Sequence, residues 1–174
     1  NLDDVLAIET ILKNTQLDFA GQNNAILYMD GEDISAEIIS SMVTENVSKI
    51  SSIPEVRVKL VDYQRKMAHG RNVVLEGRDI GTVVFPNADY KFYLVADIQV
   101  RAERRKQDIE NTGDHMTKEE IIMYIKDRDQ QDSSREHSPL MKAEDAIEVD
   151  TTDLKIEEQV NYIINIINYN QKGA

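Results

Sequence analysis

The sequence predicts an α/β fold built on a mostly parallel sheet. Three features carry this. Brief apolar runs of strand length occur at Asn72 to Glu76, Lys91 to Ala96 and Ala146 to Asp150, the form taken by strands buried on both faces. Helical patterns lie between and after them, and alternation of strand and helix is the signature of parallel α/β units. No apolar stretch in the chain approaches the roughly 18 to 20 residues of a membrane span.

The elements follow in order. Asp3 to Asn14 places Val5, Leu6, Ile8, Ile11 and Leu12 at helical spacing. Extended segments at Leu17 to Phe19 and Ala25 to Met29 flank the turn-like Gly21-Gln22-Asn23-Asn24 and read as a hairpin. Two helical patterns, Ser40 to Ser52 and Glu55 to Ala68, are separated by Pro54, which cannot sit inside a helix. After the strand at 72–76 and the strand at 91–96, a helix runs from Ile98 to about Glu110 and another from Thr117 to about Glu136. Thr117-Lys118-Glu119-Glu120 has capping-box form, with Met116 and Ile121 placed as its hydrophobic staple. Ile156 to Tyr169 closes the chain as an amphipathic helix.

Composition narrows the function. The 174 residues are the size of one domain and hold no cysteine, so neither disulfides nor thiolate metal sites are available. No signal-peptide pattern opens the chain, and a soluble, cytoplasmic protein is expected. The formal net charge of −12 argues against a nucleic-acid polymer as partner, because a polyanion needs a positive surface. Yet all nine arginines fall between Arg57 and Arg135. A guanidinium is a rigid fork matched to phosphate or carboxylate, so this zone points to a small anionic ligand, or else to a few solvated helices.

Three groups within it could carry chemistry. Gly77-Arg78-Asp79-Ile80-Gly81 leaves the C-terminal end of the 72–76 run, where α/β sheets bind ligands; its bracketing glycines allow a tight turn, and Arg78 and Asp79 either project into the crevice or pair with each other. Arg128, Asp132 and Arg135 share a helical face at i, i+4 and i+7, as an ion ladder or as a binding stripe. Arg101, Arg104 and Arg105 crowd one face of the preceding helix and repel one another unless carboxylates or an anion compensate. His69, His115 and His137 show no metal-ligand spacing.

Glu76-Gly77-Arg78-Asp79-Ile80-Gly81-Thr82-Val83-Val84-Phe85-Pro86 resembles the signature of bacterial cytidylate kinases. The resemblance continues through Phe92 to Ala96, Arg101 to Arg105, Arg128 to Arg135, Ser138-Pro139-Leu140, Ala143 to Ala146 and Asp150-Thr151-Thr152, and upstream through Gly31 to Ile34 and Ser48 to Arg57. It implies a kinase of the P-loop nucleoside-monophosphate type, with helices on both faces of a parallel sheet and a nucleotide-binding insert. Residues 1–70 would form that insert and its helices, and residues 71–174 the rest of the core with a lid at about 100–136, all within one domain. The implied reaction moves the γ-phosphoryl group of ATP, with Mg²⁺, to CMP or dCMP. Ser48, Arg57 and Asp79 match positions that read the cytosine ring; Arg78 and Arg128 match those gripping the acceptor phosphate. Asp132 matches the ribose contact, Arg135 a further acceptor-site arginine, and Arg101, Arg104 and Arg105 the lid that closes on the donor phosphates. Arg78, Arg104, Arg105 and Arg128 are the catalytic set this implies, and Arg78, Arg104 and Arg128 should converge on one cavity.

One departure stands out. Family members open with a strand and a G-x-x-x-x-G-K-[ST] loop that cradles donor phosphates, and no such motif occurs in these residues. The match begins about fifty residues into the family's pattern. As written the chain is expected to lack kinase activity, and core strands without their shared neighbour would favour self-association, whereas the full-length protein is expected to be a monomer. The alternatives are another P-loop small-molecule kinase, of the adenylate, shikimate or gluconate type, and a non-catalytic nucleotide-binding module.

Overall fold

The computed structural model of the chain describes residues 4–20, 26–111 and 115–171. It forms two compact units, one of residues 1–77 with 135–139 and the other of residues 78–134 with 140–174.

In the first unit, helix α1 (Val5–Asn14) is capped by Asp4, whose side chain accepts from Ala7 N. Strands β1 (Leu17–Ala20) and β2 (Ile26–Met29) pair antiparallel, Leu17 opposite Met29. The expected hairpin is therefore present, although its turn lies outside the described residues. A short third strand, β3 (Glu32–Asp33), extends the sheet; Asp30 and Gly31 take positive φ to make that bend, a conformation Gly and Asp adopt readily. Helices α2 (Ser41–Ser51) and α3 (Pro54–Ala68) follow. Ser40 caps α2 through Val43 N, and Pro54 opens α3 where its missing N–H costs nothing. The Tyr63 hydroxyl donates to Thr15 O at 2.6 Å, tying α3 to the end of α1.

The run at 72–76 forms no strand among the described residues, contrary to expectation. Val74 is fully exposed and Val73 nearly half so. An extended run becomes a strand only when a neighbour accepts its hydrogen bonds, and no strand among the described residues pairs with this one.

The second unit supplies the parallel α/β part. Strands β4 (Phe92–Val95) and β5 (Ile147–Asp150) pair parallel, Phe92 opposite Ile147 and Val95 opposite Asp150. Helix α4 (Ile98–Asn111) packs on α5 (Lys118–Ser133) around Ala102, Ile121 and Ile125, flanked by Ile98, Ile109, Ile122 and Tyr124. The capping box at Thr117 is complete: its hydroxyl accepts from Glu120 N, while the Glu120 carboxylate accepts from Thr117 N at 2.8 Å. The same carboxylate accepts from the Thr117 hydroxyl at 2.7 Å, and the backbone bond, with this one second, holds the Glu120 carboxyl below its ordinary value. Helix α6 (Ile156–Gln171) closes the chain, with the Tyr90 hydroxyl donating to Ile167 O. No helix among the described residues is long and apolar enough to cross a membrane.

Candidate functional site

The signature loop turns by an unusual route. Asp79 O accepts from Val83 N at 2.8 Å, with Thr82 N and Val84 N near it, and Phe85 N reaches Ile80 O at 2.7 Å. Residues Ile80–Val84 thus form one π-helical turn, a form that recurs at functional sites. Gly81 does not need left-handed freedom here. A Cβ on it would meet Lys91 Cδ at 3.2 Å, and Lys91 cannot easily yield, because its ammonium is held by Asp145 at 2.7 Å and by Pro86 O. Asp79, at the start of the turn, is 5% exposed.

Arg78 does not pair with its neighbour Asp79. Its Nε lies 2.9 Å from Oδ2 of Asp132, which projects from α5 and is 2% exposed. Arg128, one turn earlier on α5, is an ion-pair neighbour of the same oxygen at 3.9 Å. Across the helix pair, Arg101 on α4 forms a two-point clasp with Asp129 on α5, at 2.6 and 3.0 Å. That clasp raises the Arg101 pKa above its already high ordinary value.

These groups enclose a cavity of about 150 Å³ lined by Arg78, Arg101, Arg105, Tyr124, Ile125, Arg128 and Asp129. Four guanidinium groups line it against one carboxylate of its own and the buried Asp132 beneath. Arg105 has no ion-pair or hydrogen-bond partner among the described residues. The excess positive charge, in a wall half removed from water, is what a phosphate-sized anion requires.

Two expected members lie elsewhere. Arg104 is on α4 as anticipated, but its guanidinium donates to Thr151 O at 2.6 Å, to Thr151 Oγ1 at 3.1 Å and to Leu154 O. It braces the loop after β5 and does not line the cavity, so the expected convergence of Arg78, Arg104 and Arg128 does not hold as stated: Arg78 and Arg128 line the cavity with Arg101 and Arg105. Residues three and four apart share a helical face, so it is the carbonyls of Thr151 and Leu154, and not spacing, that separate Arg104 from Arg101 and Arg105. Arg135 is not on α5, which ends at Ser133 with Ser134 N capping onto Gln130 O. The predicted face of Arg128, Asp132 and Arg135 therefore stops at Asp132.

In the first unit, Arg135 donates to Ser48 Oγ at 3.0 Å, bringing together two residues 87 positions apart that were both expected to bind substrate. Arg57 donates to Ser51 O at 3.2 Å and so holds one of the carbonyls left open at the end of α2. Asp129, Tyr124 and Lys91 were not singled out by sequence reasoning. For Asp129 a signal existed: crowded cations on α4 demand nearby carboxylates.

A family model described as cytidylate kinase matches residues 1–169. The chain belongs to the cytidylate kinase family. The cytidylate kinase of Fusobacterium nucleatum subsp. nucleatum is 47% identical over 163 residues, covering 94% of this chain and 73% of that protein. That of Caldanaerobacter subterraneus subsp. tengcongensis is 44% identical over 173 residues, covering 99% of this chain and 76% of its own length. With most of the chain aligned at this identity, membership of the cytidylate kinase family includes the signature loop, both helices of the cavity and the Ser48 to Arg57 region.

Proposed function

We propose that this chain serves the transfer of the γ-phosphoryl group of ATP to CMP or dCMP, giving CDP or dCDP, in the cytoplasm. The observation that carries the reading is the four-arginine cavity built by the family's own signature residues. Phosphoryl transfer asks little covalent chemistry of a protein; it asks that donor and acceptor be aligned and their spreading charge neutralised. Arg78 and Arg128, already oriented by Asp132, would grip the acceptor phosphate, with Asp132 turned to the ribose. Arg101 and Arg105 would face donor phosphates. Arg104, engaged with Thr151, would support the lid from behind unless lid closure frees it.

Ser48, Arg57 and Asp79 would read the cytosine ring, with Arg135 holding Ser48. A carboxylate accepts from the exocyclic amino group of cytosine, which uracil lacks. Mg²⁺ would enter on the phosphates of ATP and supply charge neutralisation there. The exposed apolar residues at Val73, Val74 and Leu94 support a larger parallel sheet of the P-loop kinase type.

The test is calorimetric titration of the chain with CMP and UMP, before and after Asp79→Ala. CMP should bind more tightly than UMP by about tenfold or more, as expected for a buried hydrogen-bond discriminator, and Asp79→Ala should erase the difference by weakening CMP. Equal weakening of both nucleotides would remove Asp79 from base reading.

A further inference from the structure

Every arginine of the cavity except Arg105 is already engaged by a carboxylate, but the engagements differ in kind. Asp132 is 2% exposed, lies 2.9 Å from the Arg78 Nε and 3.9 Å from the Arg128 Nε, and is not part of the cavity lining. Asp129 lies on the cavity wall itself. It takes both outer nitrogens of Arg101, Nη1 at 2.6 Å and Nη2 at 3.0 Å. A guanidinium bound through both of those atoms has only its remaining N–H groups left for a phosphate. Both partners are about one-third exposed, at 34% and 30%, so the clasp is open to an incoming anion and is not sealed in the core.

Resting on the phosphate-binding reading above, we propose that Asp129 is a built-in competitor: it occupies Arg101 while the cavity is empty and is displaced when a phosphate group enters. It sets the affinity of the cavity for phosphates by subtracting one charge and one fork from it. The likeness of geometry explains the exchange, because a carboxylate and a phosphate offer a guanidinium the same pair of oxygens, and the phosphate brings more charge. Arg105, which has no ion-pair or hydrogen-bond partner among the described residues, makes first contact. Arg101 follows once Asp129 gives way. Such a device keeps a four-arginine cavity from holding inorganic phosphates too tightly to release them.

The probe is inorganic pyrophosphate, titrated calorimetrically at low salt into the wild-type chain and into Asp129→Asn, Arg101→Met and Arg105→Met. Asp129→Asn should bind pyrophosphate about five- to tenfold more tightly, the gain expected from removing a nearby, partly screened like charge, whereas a merely structural Asp129 would lose affinity together with melting temperature. In the Arg101→Met background the same substitution should give a distinctly smaller gain. Nuclear magnetic resonance of the arginine side chains in the wild-type chain gives a second reading that needs no variant: both Arg105 and Arg101 signals should move on saturation. If pyrophosphate binds, is weakened by Arg105→Met, and yet Asp129→Asn binds no tighter or the Arg101 signals stay still, the competitor role is wrong while the cavity's phosphate reading stands. If the wild-type chain does not bind pyrophosphate, both fall together.

Discussion

Arg78→Met should cost the chain about 1 to 3 kcal/mol of stability and abolish phosphate binding in the cavity, because it takes a charged neighbour away from a buried carboxylate. Asp132 is the reason. Its carboxylate is 2% exposed and lies 2.9 Å from the Arg78 Nε, against 3.9 Å for the Arg128 Nε. Methionine keeps most of the arginine stem, so lost packing contributes little. The double variant Arg78→Met/Asp132→Asn should recover most of the lost stability, since the buried charge is then gone, but it should not recover binding. Chemical denaturation and pyrophosphate titration, run on the same three proteins, separate the two effects. If the double variant were as unstable as the single one, packing and not charge would be the main contribution of Arg78.

Arg128→Ala should weaken CMP and UMP alike, by about 10- to 100-fold, the loss expected for a charge-assisted contact to phosphate. The effect is independent of the base because Arg128 lies on the cavity with Arg101 and Arg105 and is assigned to the phosphate. Stability should fall much less than in Arg78→Met, since the 3.9 Å separation from Asp132 contributes only weak attraction at a partly exposed site. Calorimetry with the two nucleotides decides it: a selective loss for CMP would move Arg128 from the phosphate to the base.

The sequence disclosed the elements whose cause is local. The capping box at Thr117, the proline that starts α3 and the alternation of β4, α4, α5 and β5 are written in neighbouring residues, and their bounds fall within a residue or two of expectation except the end of α5, which stops three residues early at Ser133. What it did not disclose depends on distant partners. The run at 72–76 has a strand's composition, but a strand is a pairing and not a composition. The π turn after Asp79 has no sequence mark, because it depends on one carbonyl gathering several N–H groups and on Lys91 lying over Gly81. The site was legible in its residue types and blurred in its geometry. Arg78 and Arg128 both line the cavity, whereas Arg104 is drawn off by the carbonyls of Thr151 and Leu154, distant partners that helical spacing does not show. Asp129 was hidden because its importance comes from a clasp between two helices.

The account depends on guanidinium groups of the second unit binding the phosphate of a cytidine nucleotide. Titrating the chain with CMP beside cytidine isolates that contribution, since the two differ only in the phosphate. CMP should bind at least about tenfold more tightly than cytidine, as charge-assisted contacts require, and excess pyrophosphate should displace it; equal affinities for the two would contradict the account.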